Sequence, residues 1–260
     1  MPKSNIVALA DDDAGSSAAA RSLAVLAAVA AAGHASTLAE LALRCRLPKA
    51  TAHRICEQLV ESGHLVRDFA ARSFVAGPAL HRLAYDTLNH ATTRGLRHGV
   101  LEALVARIGE TCNFTTLDGT AVLYLDRVEA PWPLRLTLDV GSRVPLHCTA
   151  SGKLFLAAMA EPERDAVIAR IALTRMTAAT ITSARALRSE CNTIAAAGYS
   201  CDREEFVAGL IAVAVPVRDA AGAVRAAIAV HAPTARMSLR AAIAKRAALK
   251  AAAATMAALL

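Results

Sequence analysis

Apolar residues recur at helical spacing over the first sixty residues, which predicts three short helices. The apolar positions of the first helix are Leu23, Leu26, Ala27 and Ala30. This helix ends at Gly33. The second begins at Thr37, an N-cap residue whose capping-box partner is Glu40. The third has Pro48 at its first position and runs to Ser62-Gly63.

Two short stretches of alternating residues follow, at 64–67 and 73–75, and predict the strands of a hairpin. Three helices and a hairpin make up a winged helix-turn-helix, the DNA-binding module of many regulators. An apolar stripe from Pro78 toward Ala91 then predicts a linker helix. We expect this stripe to pack against a second copy of the chain, and Thr92-Thr93 to separate it from the next helix.

The second half of the chain has the spacing of strands as well as helices. Asp118-Gly119 and the turn at 219–222 each join two strand-like segments, which predicts two hairpins. A further strand is expected at 134–138 and an Ala-rich helix at 238–260. The predicted fold class is α+β, with a mixed antiparallel sheet and helices packed on it. The predicted segments are a mobile N-terminus (1–15), a winged helix-turn-helix (16–76), a linker helix (77–93) and a second domain (94–260).

Composition and charge narrow the class of protein. The chain is 55% hydrophobic, but much of this is alanine, so a membrane-spanning helix is disfavoured. Asp11 to Asp13 precede the most apolar run, where a secretory signal carries bases, so we expect a cytoplasmic protein. The six cysteines form no CxxC pair, so buried thiols are favoured over a zinc site. Residues 16–100 carry ten Lys or Arg against five Asp or Glu, which weakly favours a polyanionic partner.

The predicted third helix separates apolar from basic residues. Its apolar face carries Ala52, Ile55, Cys56 and Leu59. The opposite arc carries Lys49, Ala50, His53 and Arg54, with Thr51 at its edge and Arg44 and Arg46 just before the helix. Such a helix fits the major groove of DNA, where Arg and Lys donate to guanine. The alternative is a surface helix that is basic by chance, and the hairpin residues Arg67 and Arg72 favour DNA binding.

Collinear motifs over about 21–239 resemble the IclR family of bacterial transcriptional regulators. In the first half they are RSLAVL at 21–26, TLAELA at 37–42, LPKATAHR at 47–54 and GPAL at 77–80. In the second half they are YLDRVE at 124–129, PLRL at 133–136, VGSRVPLHCTASGK at 140–153, GYSCDREE at 198–205 and AVPVRD at 214–219. Members often carry Ser where Ala50 stands, several carry Cys where Ala212 stands, and the wing turn at Ala70-Ala71 lacks the usual Gly.

The resemblance implies a winged helix-turn-helix joined by a linker helix to a GAF-like effector domain, assembled as dimers or tetramers. Together with the helix pattern it gives the candidate DNA-binding residues Arg21, Thr37, Arg46, Lys49, Ala50, Thr51, His53, Arg54, Arg67 and Arg72. By position, it also implies an effector pocket lined by Leu136, Val144, Ala150, Ser151, Asp202, Leu210 and Ala212. Asp202 is either such a pocket residue or part of a solvated acidic turn.

The spacing of the candidate residues disfavours a catalytic dyad, a metal site and a phosphate-binding loop. His147 and Cys148 are adjacent on an extended segment, so their side chains point apart and form no catalytic dyad. His147, Cys148 and Cys201 lack metal-ligand spacing, and Thr149 to Lys153 is too short for a phosphate-binding P-loop. We therefore expect no cofactor, no metal and no enzymatic activity.

The sequence thus predicts a transcription factor that binds a pseudo-palindromic operator in double-stranded DNA as a homodimer or tetramer. The rival hypothesis is a cytosolic enzyme whose basic N-terminal domain serves oligomerisation. We expect the effector's carboxylate at the helix-start amides of Ala150 and Ser151 and its hydroxyl near Asp202. A small hydroxylated or aromatic carboxylic acid fits this arrangement, and we expect the regulated genes to form a catabolic operon.

Overall fold

The computed structural model describes residues 17–32, 34–68, 72–88, 91–133 and 138–259. The chain divides into two compact units, Met1–His90 and Ala91–Leu260. Each unit has its own hydrophobic core. The expected mobile N-terminus at 1–15 lies outside the described residues, as do residues 134–137 of the expected strand at 134–138.

The first unit contains helices α1 to α4 and a small three-stranded sheet. Its elements are α1 (Ala18–Ala32), β1 (Ser36–Thr37), α2 (Leu38–Arg44), α3 (Lys49–Glu61), β2 (Leu65–Asp68), β3 (Ser73–Ala76) and α4 (Pro78–Leu88). The strands are antiparallel in the order β1-β3-β2. The predicted order of three helices and a hairpin is confirmed, while the two-residue strand β1 is an addition.

The core of this unit corrects the prediction for α1. Val25, Leu26 and Val29 are buried, whereas Leu23 is 61% exposed and Ala27 and Ala30 also face solvent. Alanines fill both sides of α1, so the sequence pattern left its buried face ambiguous.

Gly77 packs tightly against the turn that follows α3. A Cβ atom at this position would lie 2.3 Å from the carbonyl oxygen of Gly63, so only glycine fits. The Gly77 amide donates to the carbonyl of His64 at 2.8 Å. The chain then enters α4 directly at Pro78.

The second unit is a six-stranded antiparallel sheet between two layers of helices. Its elements are α5 (Ala91–Ile108), β4 (Thr111–Asp118), β5 (Ala121–Val128), β6 (Arg143–Pro145), α6 (Ala150–Ala158), α7 (Glu161–Arg170), α8 (Ala184–Ala197), β7 (Ser200–Arg203), β8 (Leu210–Arg218), β9 (Val224–Pro233), α9 (Leu239–Ala244) and α10 (Arg246–Ala257). The strand order is β6-β5-β4-β9-β8-β7. Helices α5, α9 and α10 contribute to the core on one face, and α6, α7 and α8 to the core on the other.

The two predicted hairpins are β4-β5 and β8-β9. Two element predictions for this unit are wrong. Thr92-Thr93 lies inside α5, which begins at Ala91, so it is not a joint. The C-terminal helix is broken at Lys245 into α9 and α10. Only Leu138 of the expected strand at 134–138 is described, and it lies in no strand. The edge strands of the described sheet are β6 and β7. No described helix is long and apolar enough to cross a membrane.

Candidate functional site

Helix α3 presents the candidate DNA-binding side chains because its opposite face is buried. Its buried residues are Ala52, Ile55, Cys56 and Leu59, which are the residues of the predicted apolar face. Lys49, Ala50, His53 and Arg54 are exposed, and Thr51 is half-buried at the edge. Pro48 is the N-cap residue rather than the first helical residue.

The turn that precedes α3 is fixed by backbone geometry and by a cap. Thr37 Oγ1 accepts from the Glu40 amide at 3.3 Å, and Glu40 Oε2 accepts from the Thr37 amide at 2.7 Å. The capping box is therefore confirmed, and the Thr37 hydroxyl caps the N-terminus of α2. Arg46 is exposed and has φ 52°, a left-handed conformation that turns the chain between α2 and α3. Arg21 is half-buried on α1.

The two arginines of the predicted wing differ in their surroundings. The Arg67 guanidinium lies 5.3 Å from the centre of the Phe74 ring and forms an ion pair with Glu57 of α3. Arg72 is exposed, with φ 49°, at the start of the returning strand. Ala70 and Ala71, the wing turn expected to depart from the family pattern, lie outside the described residues.

A row of four side chains crosses the sheet of the second unit on the face covered by α6. Asp202 pairs with Ala212, Ala212 with His231, and His231 with Thr111. Directly opposite residues of antiparallel strands point to the same side of the sheet. Ala212 lies in the same buried cluster as residues of α6, which identifies that side.

The structure brings some of the expected effector residues together. Asp202 is beside Ala212, and Leu210 lies two positions earlier on the same face of β8. Val144, Ala150 and Ala212 belong to one buried cluster, although Val144 lies on the opposite edge strand from Asp202. Ser151 is 5% exposed in the first turn of α6. Leu136 lies outside the described residues.

Asp202 is a buried carboxyl group in a turn. It is 1% exposed, and its Oδ1 accepts from the amides of Glu205 at 2.7 Å and Phe206 at 3.4 Å. Burial raises the pKa of Asp202 to about 7, and these hydrogen bonds and Lys153 oppose the shift only in part. The solvated acidic turn is therefore the wrong alternative for Asp202.

A buried ion-pair network holds this turn against α6. Lys153, which is 0% exposed, pairs with Glu205, and its Nζ lies 3.6 Å from Oε1 of Glu190 on α8. Thr180 donates to the carbonyl of Glu205 at 2.7 Å. These contacts join the turn beside Asp202 to α6 and α8.

Two polar residues of this face were missed by sequence reasoning. Neither polar atom of the fully buried Asn113 amide has a hydrogen-bond partner among the described residues, and the same holds for both ring nitrogens of His231. Burial and the positive charge of Arg127 lower the pKa of His231 to about 3, so its imidazole is neutral. The one available signal was a histidine at a core-facing position of an otherwise apolar strand.

Asn113 and His231 border a floor of small side chains. Asn113 pairs with Ala229, and Ala229 pairs with Ala214, in the row next to that of Asp202 and His231. An unsatisfied buried polar group costs about 1–3 kcal/mol, so polar atoms beside alanines are suited to contacting a ligand. The Tyr124 phenol belongs to the same buried cluster as these alanines, and burial raises its pKa to about 12.

The other candidate residues have structural environments. His147 Nε2 lies 2.9 Å from the carbonyl oxygen of Thr174, and burial raises the pKa of Cys148 to about 12. The described residues include no group of three or more His, Cys, Asp or Glu side chains that could hold a metal ion. A surface groove lined by Arg218, Lys250 and alanines of α10 contains none of the expected effector residues.

Both units match family models. Residues 18–68 match the IclR helix-turn-helix domain, and residues 86–258 match the C-terminal domain of bacterial transcriptional regulator IclR. The chain belongs to the IclR family of bacterial transcriptional regulators. The family resemblance and the α+β fold class are thereby confirmed, and the rival hypothesis of an enzyme loses support because the relatives are regulators.

Relatives of known name and structure cover most of this IclR-family chain. The probable transcriptional regulator SauR of Cupriavidus necator is 42% identical over 85% of this chain and 88% of its own length. The crystal structure of Thermotoga maritima IclR is 26% identical, covers 92% of this chain and 96% of that one, and has a TM-score of 0.62. An IclR homologue from Microbacterium hydrocarbonoxydans, complexed with 4-hydroxybenzoate, is 27% identical, covers 94% of this chain and 99% of that one, and has a TM-score of 0.59.

Proposed function

We propose that this IclR-family regulator binds a pseudo-palindromic operator through α3 and that a small carboxylic acid, bound on the alanine-floored face of the second unit, changes its affinity for DNA. It acts as a homodimer or tetramer in the cytoplasm on a catabolic operon. The observation that carries the DNA-binding half is the exposure of Lys49, His53 and Arg54 on a helix whose opposite face is buried.

The N-terminal half of α3 reads base edges. Lys49 and Arg54 donate to guanine O6 and N7, and His53 and Thr51 reach bases or phosphates. Arg46, exposed at the turn before α3, and Arg72, exposed in the wing directly before β3, bind phosphates and set the orientation on the duplex. Ala50 adds van der Waals contact with a thymine methyl group. Arg21 on α1 and Thr37 at the start of α2 contact phosphates beside α3. The backbone at the capped N-terminus of α2 approaches a phosphate there.

The effector site combines three kinds of polar group on an apolar floor. The Ala150 and Ser151 amides at the start of α6 bind the carboxylate of the ligand. Asp202 has a pKa of about 7, so at neutral pH it accepts from a ligand hydroxyl when ionised and donates to a carbonyl when protonated. Asn113 and the neutral His231 supply further donors and acceptors. Val144, Leu210 and Ala212 form the apolar walls, and Leu136, which the resemblance also assigns to the pocket, lies outside the described residues.

A hydroxylated or aromatic carboxylic acid matches these groups. Its carboxylate fits the amides, its hydroxyl fits Asp202, and its ring or chain lies against alanines. The relative from Microbacterium hydrocarbonoxydans, whose ligand is 4-hydroxybenzoate, supports this class.

DNA binding is tested by enriching duplexes from a random pool on the full chain and measuring affinity by fluorescence anisotropy. We expect a selected duplex to bind at least 1,000-fold tighter than a random one. The affinity should fall steeply with salt, because each neutralised phosphate adds about 0.9 to the slope of log K against log salt. Equal affinity for selected and random duplexes would contradict operator recognition.

Effector binding is tested by thermal shift against a panel of small carboxylic acids, with 4-hydroxybenzoate as the first probe. A ligand at 100 times its dissociation constant adds about 2.7 kcal/mol of stability. Asp202→Ala should abolish the effect of that acid on DNA affinity and leave acid-free DNA affinity within a few-fold. Asp139→Ala, which removes an exposed carboxylate of the same unit, is the control and should respond normally. A normal response of Asp202→Ala would refute the site.

A further inference from the structure

Glu57 lies in the C-terminal half of α3, on the same face as the candidate DNA-binding residues Ala50 and His53. It follows Ala50 by two helical turns and His53 by one, so all three lie on the side opposite the buried residues. Its side chain is 38% exposed. A carboxylate at this place faces the phosphate backbone of any duplex that α3 approaches, and the two repel each other.

Two of the candidate DNA-binding side chains contact this carboxylate. Glu57 Oε1 pairs with Nη2 of Arg67, which reaches α3 from strand β2. The same oxygen lies 3.7 Å from Nε2 of His53, one turn earlier on α3. The ring of Phe74 supports the Arg67 guanidinium from strand β3. Glu57 thus ties the wing to α3 through Arg67, while its contact with His53 is longer than a hydrogen bond.

We propose that Glu57 is a specificity-determining residue of the DNA interface, which withholds Arg67 from phosphates. This inference rests on the proposed binding of DNA by α3. Non-specific complexes depend almost entirely on phosphate neutralisation, so a paired Arg67 weakens them. Specific complexes keep the base contacts of α3, so they lose less, and the ratio of specific to non-specific affinity rises.

The test compares Glu57→Gln with wild type on a selected and a random duplex over a range of salt concentrations. The substitution keeps the size of the side chain and removes the carboxylate that pairs with Arg67. One additional phosphate contact makes the salt slope steeper by about 0.9, which corresponds to about eightfold tighter binding of random duplex at 0.1 M salt. The selected duplex should gain less than this, so the specificity ratio falls.

Glu61→Gln is the matched control. Glu61 is exposed one turn further along the same face of α3, and it forms no ion pair with the described residues. Its replacement removes the same charge without releasing an arginine. Equal gains in random-duplex affinity for Glu57→Gln and Glu61→Gln would overturn the proposal, because general charge repulsion would then explain both. An unchanged salt slope in Glu57→Gln would overturn it as well.

Two further variants show whether Glu57 acts through Arg67. The double variant Glu57→Gln, Arg67→Gln should return the salt slope to the wild-type value. Arg67→Gln alone should lose less salt slope than Arg72→Gln, since Arg72 lies exposed in the wing without the Glu57 contact. An equal loss in the two single variants would contradict the proposal.

Failure of the proposed function gives a different result. If α3 does not bind DNA, Arg54→Ala leaves the affinity for both duplexes unchanged, and none of the Glu57 variants has an effect. If only the inference about Glu57 is wrong, Arg54→Ala still weakens binding of the selected duplex.

Discussion

Asp202 is a carboxyl group whose ionisation opposes the fold of the second unit. It is buried beside alanines, and the two amides that donate to it compensate only part of the cost of burying its charge. Its pKa is about 7 in the folded protein and near 3.8 in an unfolded chain. The folded state therefore binds the proton more tightly between these two pH values.

This pKa predicts that folding stability falls as pH rises from about 4 to 7. The contribution of protonated Asp202 is fully present below its unfolded pKa and is lost as pH rises through 7. Asp202→Asn keeps the oxygen that accepts from Glu205 and carries no charge, so it should be more stable than wild type at pH 8 by up to a few kcal/mol and about equal at pH 4. Urea unfolding at both pH values measures the difference. Equal destabilisation at both would show that packing, rather than charge, dominates.

The proposed base contact of Arg54 gives a clear prediction for DNA affinity. Arg54→Ala should weaken binding of the selected duplex by about 1–3 kcal/mol and reduce discrimination at the position it reads. Arg82→Ala, which removes an exposed charge from α4 in the same unit, is the control for net charge. Anisotropy with single-base variants of the selected duplex measures the loss. A folded Arg54→Ala protein with full affinity and unchanged preference would exclude Arg54 as a reader of bases.

Individual residues were predictable where the signal is local in sequence. The capping box of Thr37 and Glu40 spans three positions, and the structure contains both of its hydrogen bonds. Asn113 and His231 were missed because they are 118 residues apart in the sequence and become neighbours only through the pairing of β4 with β9. No periodicity within one strand indicates which polar residues the neighbouring strands bring together.

At the scale of elements, long and strongly amphipathic segments were predicted best. The buried face of α3 was predicted residue by residue, because bulky apolar side chains alternate there with charged ones. The face of α1 and the break at Lys245 were not predicted, because alanine is compatible with either side of a helix and with its continuation. The edge strands β6 and β7 contain three and four residues, too few for an alternating pattern.

The exposed apolar surface of α4 is narrower than the sequence predicted. Leu80 packs against the core of its own unit, whereas Leu83 is 53% exposed and Ala84 also faces solvent. Of the predicted stripe, Leu83 and Ala84 therefore remain to contact a second copy, while the side chain of Leu88 lies outside the described residues.

A fragment of residues 16–93 should therefore self-associate, and Leu83→Asp should abolish this association. The buried charge would cost several kcal/mol in an apolar contact. Leu43→Asp, at an 81% exposed leucine of α2, is the control and should leave association unchanged. Sedimentation velocity at high micromolar concentration measures the species present. A monomeric wild-type fragment would leave dimerisation to the second unit.

At the scale of the whole molecule, two units with separate cores carry the two proposed binding sites. The expected DNA-binding residues lie in Met1–His90 and the expected effector residues in Ala91–Leu260. The family's division into a helix-turn-helix and a C-terminal domain follows the same order along the chain. The sequence motifs predicted this division, since each is local, but the chemistry of the effector site depends on contacts between distant strands.

Regulation requires that the two sites be coupled, and the coupling must be reciprocal. If an acid from the effector panel changes the affinity for the selected duplex by some factor, the duplex must change the affinity for that acid by the same factor. We expect a factor of about 5 to 150, equivalent to about 1–3 kcal/mol. Anisotropy with and without saturating acid gives one factor, and calorimetric titration of acid into free and DNA-bound protein gives the other. Asp202→Ala should reduce both factors to one. An acid that binds equally tightly to free and DNA-bound protein is a ligand without regulatory effect, and for that acid the proposed control of DNA binding would be wrong.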